Sequence, residues 1–189
     1  MLILSSFGFS YTKNRLKIGE SIPDKSEMML IIPLACMFEQ ETGEKEKNCA
    51  VLAGFKKENI IVFDRNAPDA VKGIKFRYIA VLGGNTFKLL HLVRQYALDN
   101  FIKQQVADGA DYLGFSAGAY LACPDIGYVV NFDDNNHITN GDFSALGLTD
   151  KYVLCHFDLR GNAEIRMCRE YIGNEPELIT ITNDQIICL

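Results

Sequence analysis

Short apolar runs alternate with longer stretches of helical period along this chain. "MLILSS" at the start reads as a strand. "MMLIIPLAC", Met28 to Cys36, is almost continuously apolar, as in a strand buried on both faces. "NIIVFD" (Asn59 to Asp64), "YIAVLGG" (Tyr78 to Gly84), "DYLGFS" and "YVLCHF" repeat the pattern, and "ELITITNDQIICL" closes as one or two strands. Helical period lies between them. The charged segment from Phe38 to Phe55 is predicted as a surface helix, weakened early by Gly43. Phe87, Leu89, Leu90 and Val93 give the next helix an apolar face, with Thr86 as its expected cap. Further helices are predicted over Asn100 to Ala107, from Ala117 to Cys123, and over Asn162 to Ile172 before Gly173. Tyr11 to Lys25 is polar and reads as a loop, with at most a helical turn.

Alternating strands and helices, with strands apolar on both sides, predict an α/β fold: a mostly parallel sheet with helices on both faces. At 189 residues one domain spanning 1–189 is expected, large enough to bury a core without staples. One stretch breaks the rhythm. "PDIGYVVNFDDNNHITNGDFSALG" is rich in Asp, Asn and Gly and shows little period; a long irregular segment inside a compact domain is often functional.

Composition narrows the functional classes. A net charge of −5 argues against nucleic acid or an anionic membrane surface as partner. The six cysteines are scattered, without a C-x-x-C pair or zinc spacing, so no metal is expected. Most sit in apolar runs and read as buried reduced thiols, which fits a cytoplasmic setting. "MLILSSFGFSYTK" has no basic n-region and too short an apolar core for a signal peptide. No apolar run approaches the roughly 20 residues of a membrane span.

The chemistry concentrates in Gly114-Phe115-Ser116-Ala117-Gly118, which fits the G-x-S-x-G nucleophile elbow. A sharp strand-to-helix turn projects the serine from the sheet, and the helix start offers the Ala117 N–H to a developing oxyanion. The pattern alone is weak, since about one chain in 15–20 of this length would carry it by chance. Its position after an apolar run and before a helix-compatible segment strengthens it. Gly83-Gly84-Asn85-Thr86-Phe87 is a second turn of this kind; it is either a tight strand–helix turn or the source of a second oxyanion donor, the Gly84 N–H. Of three histidines, His91 reads as solvated and His137 as exposed. His156, at a strand end, is the best base for Ser116. Asp133 and Asp134 in the irregular segment and Asp184 in "TNDQ" are the candidate acids, and residue pattern does not choose among them.

"GGNTFKLL", "GFSAGAYLACPDI" and "LGLTDKYVLCHF", in this order and spacing, resemble the peptidase E family of serine peptidases, the dipeptidase E and cyanophycinase group. The resemblance covers roughly Met28 to Ile187. It implies a flavodoxin-like three-layer sandwich related to class I glutamine amidotransferases, and hydrolysis of small peptides without a cofactor. It implies Ser116 as nucleophile, His156 as base, Gly84 and Ala117 as oxyanion donors, and Asn85 and Arg160 as substrate contacts. For the third triad member, Asp133 best matches one family position, in the loop after the elbow; the other is a glutamate near the C-terminal strand, where this chain has Asn183 with Asp184 beside it. Cys155 stands where family members usually have proline, and Glu164 aligns with the arginine by which aspartyl dipeptidases read an N-terminal Asp. Arg160 and Arg166 are nearby without matching cleanly, so the resemblance leaves Asp-X specificity open. A non-catalytic binding protein on the same fold and a serine esterase or amidase stand as alternatives, and a homodimer is left open.

Overall fold

The computed structural model describes all 189 residues. In chain order the elements are β1 (Leu2–Ser5), α1 (Thr12–Ser21), β2 (Met29–Ile32), α2 (Glu39–Leu52), β3 (Ile60–Val62) and β4 (Tyr78–Val81). They continue with α3 (Thr86–Gln95), α4 (Leu98–Ala107), β5 (Asp111–Phe115), α5 (Ala117–Leu121), β6 (Tyr152–Leu154), α6 (Asn162–Ile172), β7 (Leu178–Thr180) and β8 (Ile186–Cys188). Six strands form one sheet in the order β3-β2-β4-β5-β1-β8. All neighbours in it are parallel except β1 and β8, which run antiparallel. β6 and β7 form a separate parallel pair.

Period two along the strands builds the layers. Leu2, Leu4, Leu30, Ile32, Ile79 and Val81 enter one buried cluster, with Phe87 and Leu90 of α3 and Ala119 and Leu121 of α5. The alternate positions, Ile3, Met29, Ile31, Ala80 and Leu113, enter a second cluster with Ile18 of α1 and Ala50 of α2. Helices therefore cover both faces, and the central strands are apolar on both sides because both sides are buried. Each fully buried Ile or Leu contributes about 1.5–3 kcal/mol over an exposed one.

Three local expectations need correction. Tyr11 to Lys25 is not a loop: α1 occupies most of it. Its inward face is only Asn14 and Ile18, one turn apart, so the charged remainder hides the period. Thr86 does not cap α3; Asn85 does, its Oδ1 accepting the Lys88 N–H at 2.7 Å. The run Met28 to Cys36 is strand only through Ile32, after which Pro33 starts a turn. The Asp- and Asn-rich segment is irregular as expected, tied back by a bridge between Asp125 and Ser144. No helix is long and apolar enough to cross a membrane.

Sheet order decides where a site can form. β1, β4 and β5 lie side by side and point the same way, with Val81 paired to Gly114 and Ser5 to Phe115. The residues that follow these strands, Ser6, Gly83 with Gly84, and Ser116, thus meet at one carboxyl edge, where open α/β sheets hold their ligands.

Candidate active site

Ser116 ends β5 and starts α5 with φ 52° and ψ −110°, a conformation an L-residue adopts only under constraint. The constraint is packing. A Cβ on Gly118 would lie 2.1 Å from the Val81 carbonyl oxygen, so α5 sits on β4 at a distance only glycine allows. The Tyr112 hydroxyl donates to the Gly118 carbonyl at 2.7 Å, and the Ser116 N–H donates to Ser5 at 2.9 Å. The elbow is therefore pinned from β1, β4 and β5 together.

His156 follows β6 in the left-handed conformation, φ 58° and ψ 36°. Its Nε2 lies 2.9 Å from Ser116 Oγ. Its Nδ1 lies 2.9 Å from Asn183 Oδ1. An amide oxygen can only accept, so Nδ1 carries the proton and Nε2 presents a lone pair to the serine hydroxyl. The ring is held on further sides. The buried Ser6 hydroxyl accepts the His156 N–H at 2.8 Å and donates to the Ile181 carbonyl at 3.0 Å, joining β1 to the end of β7. Phe7 meets the imidazole edge-on with centroids 5.0 Å apart. The Tyr120 hydroxyl of α5 accepts the Cys155 N–H at 3.2 Å, so the helix that starts at Ser116 also braces the residue before His156. Burial pushes the Cys155 thiol up to about 12, which keeps it a neutral filler beside the histidine.

None of the three candidate aspartates reaches His156. Asp133 accepts the Thr86 N–H at 2.9 Å and the Thr86 hydroxyl at 2.5 Å, placing its charge at the positive start of α3. Asp134 accepts from the Asn136 N–H and, through its carbonyl, from Asn85. Asp184 pairs with Lys13 at 3.1 Å on the surface and accepts from the Thr182 hydroxyl, which together hold its carboxyl below the usual range. The third side chain is the neutral Asn183, aimed by the turn between β7 and β8 and by its N–H bond to Asp158. The hydrogen bond across two short strands has no periodic trace in sequence.

Gly84 follows β4 with φ 124°, and a Cβ there would lie 2.3 Å from the Ala35 carbonyl oxygen. Its N–H donates to no group of the chain. As the first residue of α5, Ala117 also lacks an intrahelical acceptor for its N–H. Asn85 and Arg160 lie elsewhere than expected. The Asn85 amide is spent on capping α3 and on Asp134. Arg160 donates through Nε to Cys155 at 3.0 Å, and its guanidinium lies 4.1 Å above the Phe132 ring. Glu164 accepts the Gly161 N–H at 2.8 Å and caps α6. A cavity of about 250 Å³ opens over the dyad, lined by Ser116, His156, Gly83 and Gly84 on one side and by Cys36 and Glu46 on another. Asn85, Arg160 and Glu164 do not line it.

A strained serine at a strand–helix elbow, carrying a histidine on its hydroxyl, defines a nucleophile-elbow α/β protein. A model of peptidase family S51 matches residues 1–189, and the chain belongs to that family. It is 33% identical over 161 residues to a peptidase E of Shigella flexneri, covering 80% of this chain and 67% of that one. It is 34% identical over 113 residues to an uncharacterized peptidase of Listeria monocytogenes, covering 58% and 55%. The chain spans about half the length, or less, of the first such relatives it matches, 55% in Listeria monocytogenes and 41% in Pasteurella multocida. A crystal structure of a protein described as a peptidase E, from Listeria monocytogenes EGD-e, superposes with TM-score 0.77 at 23% identity, over 100% of this chain and 93% of that one. At that identity the likeness bears on the fold, which is the peptidase E fold.

Proposed function

We propose that this chain is a serine peptidase that hydrolyses small peptides by acyl transfer through Ser116. The observation that carries the reading is the 2.9 Å contact between Ser116 Oγ and His156 Nε2, on an imidazole whose other nitrogen is fixed by Asn183. His156 takes the hydroxyl proton as Ser116 attacks the carbonyl carbon. The tetrahedral oxyanion is held by the N–H groups of Gly84 and Ala117; losing one such donor typically costs about 3–4 kcal/mol of barrier. His156 then gives its proton to the leaving amine, and water, activated by the same imidazole, releases the acid and restores the serine. Asn183 fixes the tautomer without adding a charge, so the imidazolium that forms has no carboxylate beside it. The family relationship and the peptidase E relatives support the same reaction class.

Incubating the purified chain with a panel of dipeptides and matching amino-acid esters, and following free amine and acid, tests this. Dipeptide cleavage that disappears in Ser116→Ala is expected. Ester cleavage without peptide cleavage would make the chain an esterase, and no cleavage of either by folded protein would overturn the reading.

A further inference from the structure

The far wall of the cavity bears a feature that the dyad does not use. Glu46 of α2 lines it and is only 6% exposed. Its two oxygens accept from a single donor, the Ser10 N–H, at 3.1 and 3.3 Å. No lysine or arginine forms an ion pair with it. No lysine or arginine lines the cavity at all. A buried carboxylate without a cation is costly, and a cationic group entering the cavity supplies the missing partner. Cys36 beside it does not compete for that role: burial, then the charges of Glu46 and Glu39, push its thiol up to about 11, so it stays neutral.

We infer that the cavity selects peptides whose acyl-side residue carries a positive charge, an ammonium or guanidinium held by Glu46, and disfavours acidic ones. For turnover this rests on Ser116 as the nucleophile; for binding it stands alone. The same wall that attracts a cation repels an Asp side chain, and Arg160, implied by the resemblance as a substrate contact, is occupied by Cys155 and Phe132 outside the cavity.

Calorimetric titration of the Ser116→Ala protein separates binding from catalysis. Lys-Gly is expected to bind at least 10-fold tighter than Asp-Gly. Two further peptides identify the cation. If the α-ammonium is the one held, Gly-Gly matches Lys-Gly and acetyl-Lys-Gly is lost; if the side chain is held, acetyl-Lys-Gly keeps its affinity and Gly-Gly is weak. Adding Glu46→Gln, whose amide oxygen can still accept from Ser10, should erase the preference for Lys-Gly, and Glu46→Asp should restore part of it. Asp-Gly binding as tightly as Lys-Gly would overturn the inference. So would a Lys-to-Asp ratio unchanged in Glu46→Gln, or no binding of any of these peptides at millimolar concentration. Should Glu46→Gln not fold, the ratio in the Ser116→Ala protein and in Glu46→Asp decides. If the peptidase reading alone is wrong, the unsubstituted chain cleaves nothing while the binding preference persists.

Discussion

The acid-rich segment after Cys123 and the short turn between β7 and β8 make opposite contributions to the site. The first offers Asp133 and Asp134 in a long irregular stretch, yet Asp133 is consumed by the start of α3 and neither reaches His156. The second is a turn on two short strands, and it delivers Asn183 to the imidazole at 2.9 Å. A carboxylate near an elbow in sequence is as apt to cap a helix as to orient a base, because a helix start is a strong local attractor for negative charge. Orientation of a base depends instead on which turn the sheet order brings to the carboxyl edge.

Substitutions in the two regions separate their roles. The largest effect is expected at the elbow itself: Ser116→Ala should lower kcat/KM on a cleaved dipeptide by about 10³-fold or more, with folding intact by circular dichroism. Next comes Asn183→Ala, expected to lower kcat by roughly 10- to 100-fold by freeing the imidazole tautomer. Asn183→Asp sharpens the point, since a carboxylate favours the protonated imidazole. The base is then lost at higher pH, and the acid limb of the pH–rate profile should move up by roughly one pH unit. Asp133→Ala should leave kcat within about two-fold and cost about 1 kcal/mol of stability, seen as a Tm lower by roughly 2–4 °C. A drop in kcat for Asp133→Ala as large as that for Asn183→Ala would reverse the comparison. Smallest of all, Asp184→Asn breaks an exposed pair with Lys13 and should change neither kcat nor Tm measurably.

Much of this architecture could be read from the chain, for stated physical reasons. The central strands are buried on both sides, so their apolar runs are continuous and β2, β4 and β5 stand out. The elbow was legible because close packing of α5 on β4 demands small residues at fixed offsets around Ser116. α1 was hidden because only Asn14 and Ile18 face inward from it. Ser6 and Asn183 were hidden for another reason. Each acts through hydrogen bonds to residues far along the chain, Ser6 to His156 150 positions away and Asn183 to the same histidine 27 positions away, and such bonds leave no periodic trace. The family resemblance points to position 183 but implies an acid there, and the residue is a neutral amide that a search for carboxylates passes over. Glu46 belongs with this second group. On α2 it reads as one charge among many, and only the fold turns it into the cavity.

In the proposed mechanism Ser116 is a nucleophile activated by His156, which Asn183 orients. Labelling with a fluorophosphonate probe, followed by peptide mass spectrometry, tests it most directly. One covalent adduct, on Ser116, is expected in the unsubstituted chain and in Asp133→Ala, with slower labelling in Asn183→Ala and none in His156→Gln. A folded chain that never labels at Ser116, or that labels equally well without His156, would contradict it.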